Sequence, residues 1–214
     1  MKSLCSHEVR IFGASRTDRG VHALGQVVNF IAEGKIKTAD FIGALNFFLP
    51  SDIRVLSSEE APDDFNARFS ARGKDYTYSV FIGREVPFNL RKYALHLRRE
   101  IDIPAIEAAA AQLIGEHDFS SFAQEIKGSP IRKIESIRVF KKAEKMGCLL
   151  EFHFRGNSFL YKMIRTIMGT LLDVGRGRKT PDEVFEILKA RDRKRAGATA
   201  PPHGLCLIGV NYGE

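Results

Sequence analysis

From residue 71 to residue 214 the strand and helix signals come in an order that few folds accept. Asp75–Ile82 sets Tyr76, Tyr78, Val80 and Ile82 on one face and Thr77, Ser79 and Phe81 on the other, the two-residue period of a strand. Tyr93–Leu97 suits one further short strand. Asp102, with Pro104 in the first turn, starts a helix whose inward stripe is Ile103, Ile106, Ala110, Leu113 and Ile114. Phe119–Ile131 reads as loop, and Ile134–Phe140 and Cys148–Phe154 as strands around the basic turn Lys141–Gly147. A long helix from Ser158 to Val174, ended by Gly175, carries Leu160, Met163, Ile164, Ile167, Met168, Leu171 and Leu172 on its apolar face. Lys162, Arg165, Thr166 and Gly169 form a polar stripe beside it. A glycine inside a helix costs about 1 kcal/mol relative to alanine, so Gly169 points to a backbone or a ligand in close approach. Thr180-Pro181-Asp182-Glu183 is a capping box opening a helix that runs to Ala190, and Leu205–Tyr212 is a last strand. The sum is the split β-α-β-β-α-β plan of an α+β fold.

Residues 1–70 read as strand, strand, helix, strand. Val9–Phe12 and Val27–Ile31 flank a polar, glycine-rich loop, Gly13–Gln26. Thr38 caps a helix from Ala39 to Leu49 that shows Phe41, Ile42, Leu45, Phe48 and Leu49 on one face and stops at Pro50. Ile53–Leu56 follows as a short strand. A second β-α-β-β-α-β half would need one more strand and helix ahead of Val9. The expected organisation is therefore two domains, 1–70 and 71–214, the first lacking those two elements. Unpaired sheet edges of that kind favour association, so a homodimer is among the expected assemblies.

Charge is divided unevenly between these parts. Residues 1–70 hold eight Lys/Arg and nine Asp/Glu, whereas 71–214 hold twenty-five and seventeen, so the whole net charge of +7 comes from the second part. Such a surplus suits a polyanion such as RNA. Arg191–Arg195 is a charge run of the kind that usually forms a solvated face. No run reaches the length of a membrane span, and Met1–Leu4 opens no signal peptide. Cys5, Cys148 and Cys206 have no pairing or metal spacing and the six histidines are scattered. Free thiols, a cytoplasmic setting and no metal are expected.

No phosphate loop, dinucleotide fingerprint, zinc pattern or Ser-His-Asp signature is present. The candidates are Asp18 between Arg16 and Arg19, Tyr76, and Arg165 on the polar helix stripe. A loop between strands can hold one ionised carboxylate at a site, and Gly13, Gly20 and Gly25 allow unusual backbone or close approach. Read alone, Asp18 and its arginines also suit a plain surface loop, Tyr76 a sheet tyrosine, and Arg165 a solvated helix charge.

Arg16-Thr17-Asp18, with Gly20-Val21-His22-Ala23 and Gly25-Gln26-Val27-Val28 after it, resembles the signature of the tRNA pseudouridine synthase A family. Four more segments resemble that family in order. They are Phe65–Arg72 with Tyr76-Thr77-Tyr78, Gly115–Phe122, Asn157–Gly169, and Ala200–Leu205. The resemblance implies isomerisation of uridine to pseudouridine in the anticodon arm of tRNA, without cofactor. The doubled β-α-β-β-α-β pattern and the one-sided charge lead to an expected fold of two α+β layers whose antiparallel sheets meet around a basic cleft, with Asp18 at its floor. The resemblance also implies that Asp18 is catalytic, as nucleophile or as base, and that Arg165 is its partner, since a guanidinium favours the ionised carboxylate. Tyr76 would stack on the target base and take the C5 proton. Arg16 would hold RNA with the uridine turned out, and Phe119 and Phe122 could stack on RNA or, as two such phenylalanines more often do, pack in the core. His22 and Gln26 would shape the loop. Family members begin with a strand and helix before the residues matching Val9–Phe12. The competing readings are an RNA-binding paralogue with impaired catalysis, or a truncated form, and an acid-dependent nucleoside hydrolase. Intact Asp18, Tyr76 and Arg165 oppose the first, and the lack of a second committed carboxylate near Asp18 opposes the last.

Overall fold

A computed structural model of the chain describes residues 5, 7–33 and 37–213. It is a mixed α+β structure of two compact units, one of residues 1–15 and 27–70, the other of residues 16–26 and 71–214. The loop that carries Asp18 thus belongs with the second unit, although the chain around it belongs to the first.

In the first unit, β1 (Phe12–Gly13) pairs antiparallel with β3 (Val28–Asn29), and Ala14 N–H extends the ladder to Val27 O at 2.8 Å. These strands are shorter than the apolar runs predict. Helix α1 (Asp40–Phe48) forms where its period places it and ends against Pro50. Thr38 does not cap it; its hydroxyl donates to Glu60 Oε1 at 2.9 Å. Of the expected inner face only Phe41 is buried, with Phe30 edge-on at 5.6 Å between ring centroids. Ile53–Leu56 is not a strand. Val55 instead exchanges both backbone bonds with the Asn46 side chain, at 2.8 and 3.0 Å, so its peptide groups need no neighbouring strand. Asn29 bridges Phe65 O and Ala67 N in the same way, and Asn66 caps the turn to Phe69.

The second unit is built on one sheet. Its strands are β2 (His22–Ala23), β4 (Gly73–Gly83), β5 (Leu95–Leu97), β6 (Gly115–Asp118), β7 (Ile131–Glu144), β8 (Gly147–Gly156) and β9 (Leu205–Asn211). The order is β2-β9-β4-β8-β7-β6, with β5 added parallel to β4. The β9-β4, β4-β8 and β8-β7 pairs are antiparallel. Three helices accompany the sheet: α2 (Ile103–Ala111), α3 (Met163–Gly175) and α4 (Pro181–Ala190). Tyr76, Tyr78 and Val80 enter the main core with Ile106, Leu113, Phe152, Phe154 and the apolar face of α3. Phe81, on the opposite face of β4, joins a small cluster with Ala94 and Leu149. The alternation read from Asp75–Ile82 is thus realised on both faces.

Strands β7 and β8 run further than their apolar stretches suggest, pairing through Glu144↔Gly147 across a tight turn. Helix α3 starts at Met163 rather than Ser158, because Lys162 adopts a left-handed backbone with φ 59° that cannot continue a helix. Asp102 caps α2 by accepting from Ala105 N at 2.9 Å. The capping box of α4 forms in both directions: Thr180 N–H donates to Glu183 Oε2 at 2.6 Å, and Glu183 N–H to Thr180 Oγ1 at 3.4 Å. Thr180→Ala removes an acceptor for an otherwise orphaned helix N–H and is expected to lower stability by about 1 kcal/mol, read as a lower urea midpoint at unchanged slope.

Candidate active site

The residues that converge come from opposite ends of the second unit. Val21 N–H closes a turn onto Asp18 O at 2.9 Å, with Gly20 at φ 86°, a left-handed value that side chains other than glycine rarely adopt. Strand β2 then lies parallel to β9, His22 opposite Cys206 and Ala23 opposite Leu207. Leu24 N–H extends this pairing to Leu207 O at 2.8 Å. At Gly25 an added Cβ would sit 2.4 Å from Ile208 O, so the loop lies too close to β9 for any side chain there. His22 Nε2 lies 2.8 Å from Lys92 O, and its ring packs on Tyr93 at 4.6 Å between centroids. The carbonyl can only accept, so Nε2 carries the proton. His22 thus ties the loop to residues 92 and 93.

Asp18 meets Arg165 from the first turn of α3. Arg165 Nη1 donates to Asp18 Oδ2, and the two side chains are 11% and 17% exposed. These residues are 147 positions apart. The guanidinium is held from a second side, since Arg165 Nε donates to Ala200 O at 2.8 Å while Ala200 N–H donates to Arg165 O at 2.9 Å. Residues 196–201 run along α3 as a strap. Gly197 N–H donates to Thr170 Oγ1 at 2.9 Å, and the Thr170 hydroxyl donates to Thr166 O at 2.9 Å. Gly169 makes this possible, because a Cβ there would overlap Ala198 O at 1.7 Å. The close approach inferred from a mid-helix glycine is made by backbone.

Tyr78 ties the far end of the strap, its hydroxyl donating to Pro201 O at 2.9 Å. Burial pushes the Tyr78 phenol well above its ordinary range, with the Arg165 charge acting in the opposite sense. It therefore stays a neutral donor throughout the usual working pH range. Tyr76 lies two residues earlier on β4 and points to the same face; it is nearly buried, with Phe159 edge-on at 5.4 Å. Its cross-strand partner on β9 is Leu207, the residue that also faces Ala23 on β2. Two strand pairings thus link Tyr76 to the Asp18 loop.

Arg16 is exposed and makes no ion pair among the described residues. Phe119 and Phe122 are fully buried in the main core, 6.2 Å apart. Neither presents a ring face to solvent, so the expectation that they stack on RNA is corrected: they are packing residues. Their segment, read as loop after Asp118, is a single 3₁₀ turn over Ser120–Phe122. Arg193, in the charge run expected to form a solvated face, bonds to the strap instead. It is half-buried, and its guanidinium reaches Gly197 O at 3.1 Å and Thr199 Oγ1 at 3.0 Å. Only its position before a Gly-Ala-Thr-Ala segment distinguishes it from its exposed neighbours in the sequence.

Among the described residues there is no cluster of three or more His, Cys, Asp or Glu side chains able to hold a metal ion. None of the described helices is long and apolar enough to cross a membrane. The arrangement offers one carboxylate, oriented by a guanidinium that is itself fixed by backbone, on a strap whose far end is held by Tyr78.

A family model described as tRNA pseudouridine synthase matches residues 2–70 and 109–213. The tRNA pseudouridine synthase A of Listeria monocytogenes serotype 4b is 46% identical over 208 residues, covering 95% of this chain and 82% of that protein. That of Halalkalibacterium halodurans is 43% identical over 199 residues, covering 92% and 74%. The tRNA pseudouridine synthase A 2 of Clostridium perfringens is 39% identical over 215 residues, covering 99% and 86%.

Proposed function

The chain belongs to the tRNA pseudouridine synthase family, and on that premise we propose that it converts uridine to pseudouridine in the anticodon arm of tRNA, with Asp18 as the reacting carboxylate and no cofactor. The observation that carries this reading is the Asp18–Arg165 pair, held by a strap on one side and a strand pairing on the other. In the reaction the bond from uracil N1 to ribose C1′ breaks, the ring turns, C5 bonds to C1′, and the C5 proton leaves. A carboxylate can attack C1′, or it can take a proton from C2′ to give a glycal. Both routes need an ionised oxygen aimed at the sugar, and a guanidinium fixed by Ala200 supplies the orientation.

Tyr76 lies beneath the base and accepts the C5 proton in this reading. Arg16, which has no competing ion pair among the described residues, grips RNA phosphate while the uridine is turned out of its stack. The strand order β9-β4-β8-β7 supports reading residues 71–214 as a complete split β-α-β-β-α-β domain, with residues 1–70 as its counterpart. The basic surplus of 71–214 supports a basic cleft for tRNA. Affinity for tRNA is accordingly expected to fall steeply and linearly on a plot of log affinity against log salt. A flat plot would rule out a broad phosphate-tracking surface.

The activity is tested by tritium release from an unmodified tRNA transcript carrying 5-tritiated uridine. Release into water with multiple turnovers, without added metal or cofactor, is the expected result. Intact tritium under conditions where the protein binds the transcript would refute the reading.

A further inference from the structure

The polar contacts of Arg193 are made to neutral groups of one short segment. Its Nη1 donates to Gly197 O at 3.1 Å and lies 3.5 Å from Ala196 O, and its Nη2 donates to Thr199 Oγ1 at 3.0 Å. Thr199 Oγ1 in turn lies 3.3 Å from Thr166 Oγ1 on α3. One residue further on, Ala200 exchanges bonds with both the backbone and the side chain of Arg165. The same fork that spans residues 196–199 therefore ends next to the carbonyl that aims Arg165 at Asp18. Arg191, Lys194 and Arg195 are exposed, whereas Arg193 is turned inward.

We propose that Arg193 is a positioning residue for the reaction: by clamping the strap at Gly197 and Thr199 it fixes the Ala200 carbonyl, and through it the guanidinium of Arg165. This rests on the role proposed above for the Asp18–Arg165 pair. A guanidinium suits the task because its planar fork can serve a carbonyl and a hydroxyl at once, which an ammonium does less well. The other ties of the strap, from Gly197 N to Thr170 Oγ1 and from Ala200 N to Arg165 O, hold its backbone, whereas Arg193 joins its carbonyl at Gly197 to its hydroxyl at Thr199. The strap lies on glycine, at Gly169 of α3, and is itself glycine at Gly197, where an added Cβ would meet Thr170 N at 2.8 Å.

The test is R193A, with R193K and T199V as milder variants in case R193A fails to fold. R193A is expected to lower kcat about tenfold at unchanged KM for tRNA, with R193K and T199V falling between it and the parent. In an R165K background, R193A is expected to add no further loss, since both act through one guanidinium. Independently of activity, the Nε–H of Arg165, followed by nitrogen-15 NMR, is expected to exchange with solvent faster in R193A and T199V than in the parent. A raised KM with unchanged kcat would make Arg193 an RNA contact and overturn the proposal. Parental kcat and parental Nε–H exchange in all folded variants would overturn it as well. Faster Nε–H exchange in a protein that releases no tritium would support the clamp and refute the assigned activity alone.

Discussion

Asp18→Asn is expected to abolish pseudouridine formation and to leave tRNA affinity within about tenfold, a change of about 1.4 kcal/mol. Asparagine keeps the length of the side chain and an oxygen for Arg165 Nη1. It can neither attack carbon as a carboxylate nor accept a proton as a base. Binding is expected to survive because the proposed phosphate contacts fall on other residues, among them the exposed Arg16 and the basic surplus of residues 71–214. Arg165→Ala also loses activity, but for a different reason. It removes one partner of a largely buried ion pair, a change that typically costs about 3–5 kcal/mol, and it frees the strap at Ala200. Both variants leave one charge of this pair uncompensated and are expected to melt below the parent protein; Arg165→Ala melts lower, because it also frees the strap at Ala200, whereas Asp18→Asn keeps an acceptor for Arg165 Nη1.

Gly169→Ala is expected to destabilise the fold by about 2–4 kcal/mol, although alanine is the better helix former by about 1 kcal/mol. The added Cβ would lie 1.7 Å from Ala198 O and 2.9 Å from Ala198 C, and both are backbone atoms with no rotamer to move to. The strap must lift, which breaks the bonds from Gly197 N to Thr170 Oγ1 and between Ala200 and Arg165, each worth about 1 kcal/mol. At about 2–4 °C per kcal/mol, the melting point falls well outside measurement error. Gly43→Ala is the control. Gly43 lies inside α1 with nothing within 4 Å of an added Cβ, so there alanine stabilises by about 0.5–1 kcal/mol. Equal stability of Gly169→Ala and the parent would mean that the strap does not rest on α3.

Much of this fold is legible in local pattern because local pattern is what forms it. The two faces of β4, the capping box of α4 and the Asp102 cap of α2 each follow from residues within one element. The misses share a cause. Strand β2 is two residues laid parallel on β9, and β6 is Gly-Glu-His-Asp; neither has an apolar alternation, and both exist only through their neighbours. Ile53–Leu56 has the composition of a strand, but Asn46 satisfies Val55 first. The site lies furthest from local reading. Nothing in the period or spacing of the chain joins Asp18 to Arg165, and resemblance alone suggested the pair. Gly169 was the local clue to the strap that holds it, while Arg193 was concealed among charges that do face water.

The most direct test of the central claim is to map pseudouridine, nucleotide by nucleotide, on an unmodified tRNA transcript treated with the parent protein or with Asp18→Asn at equal occupancy. Modification confined to the anticodon arm with the parent protein, and none with Asp18→Asn, is the expected result. Modification by Asp18→Asn at the parental rate would contradict it, because Asp18 would then not be the reacting carboxylate.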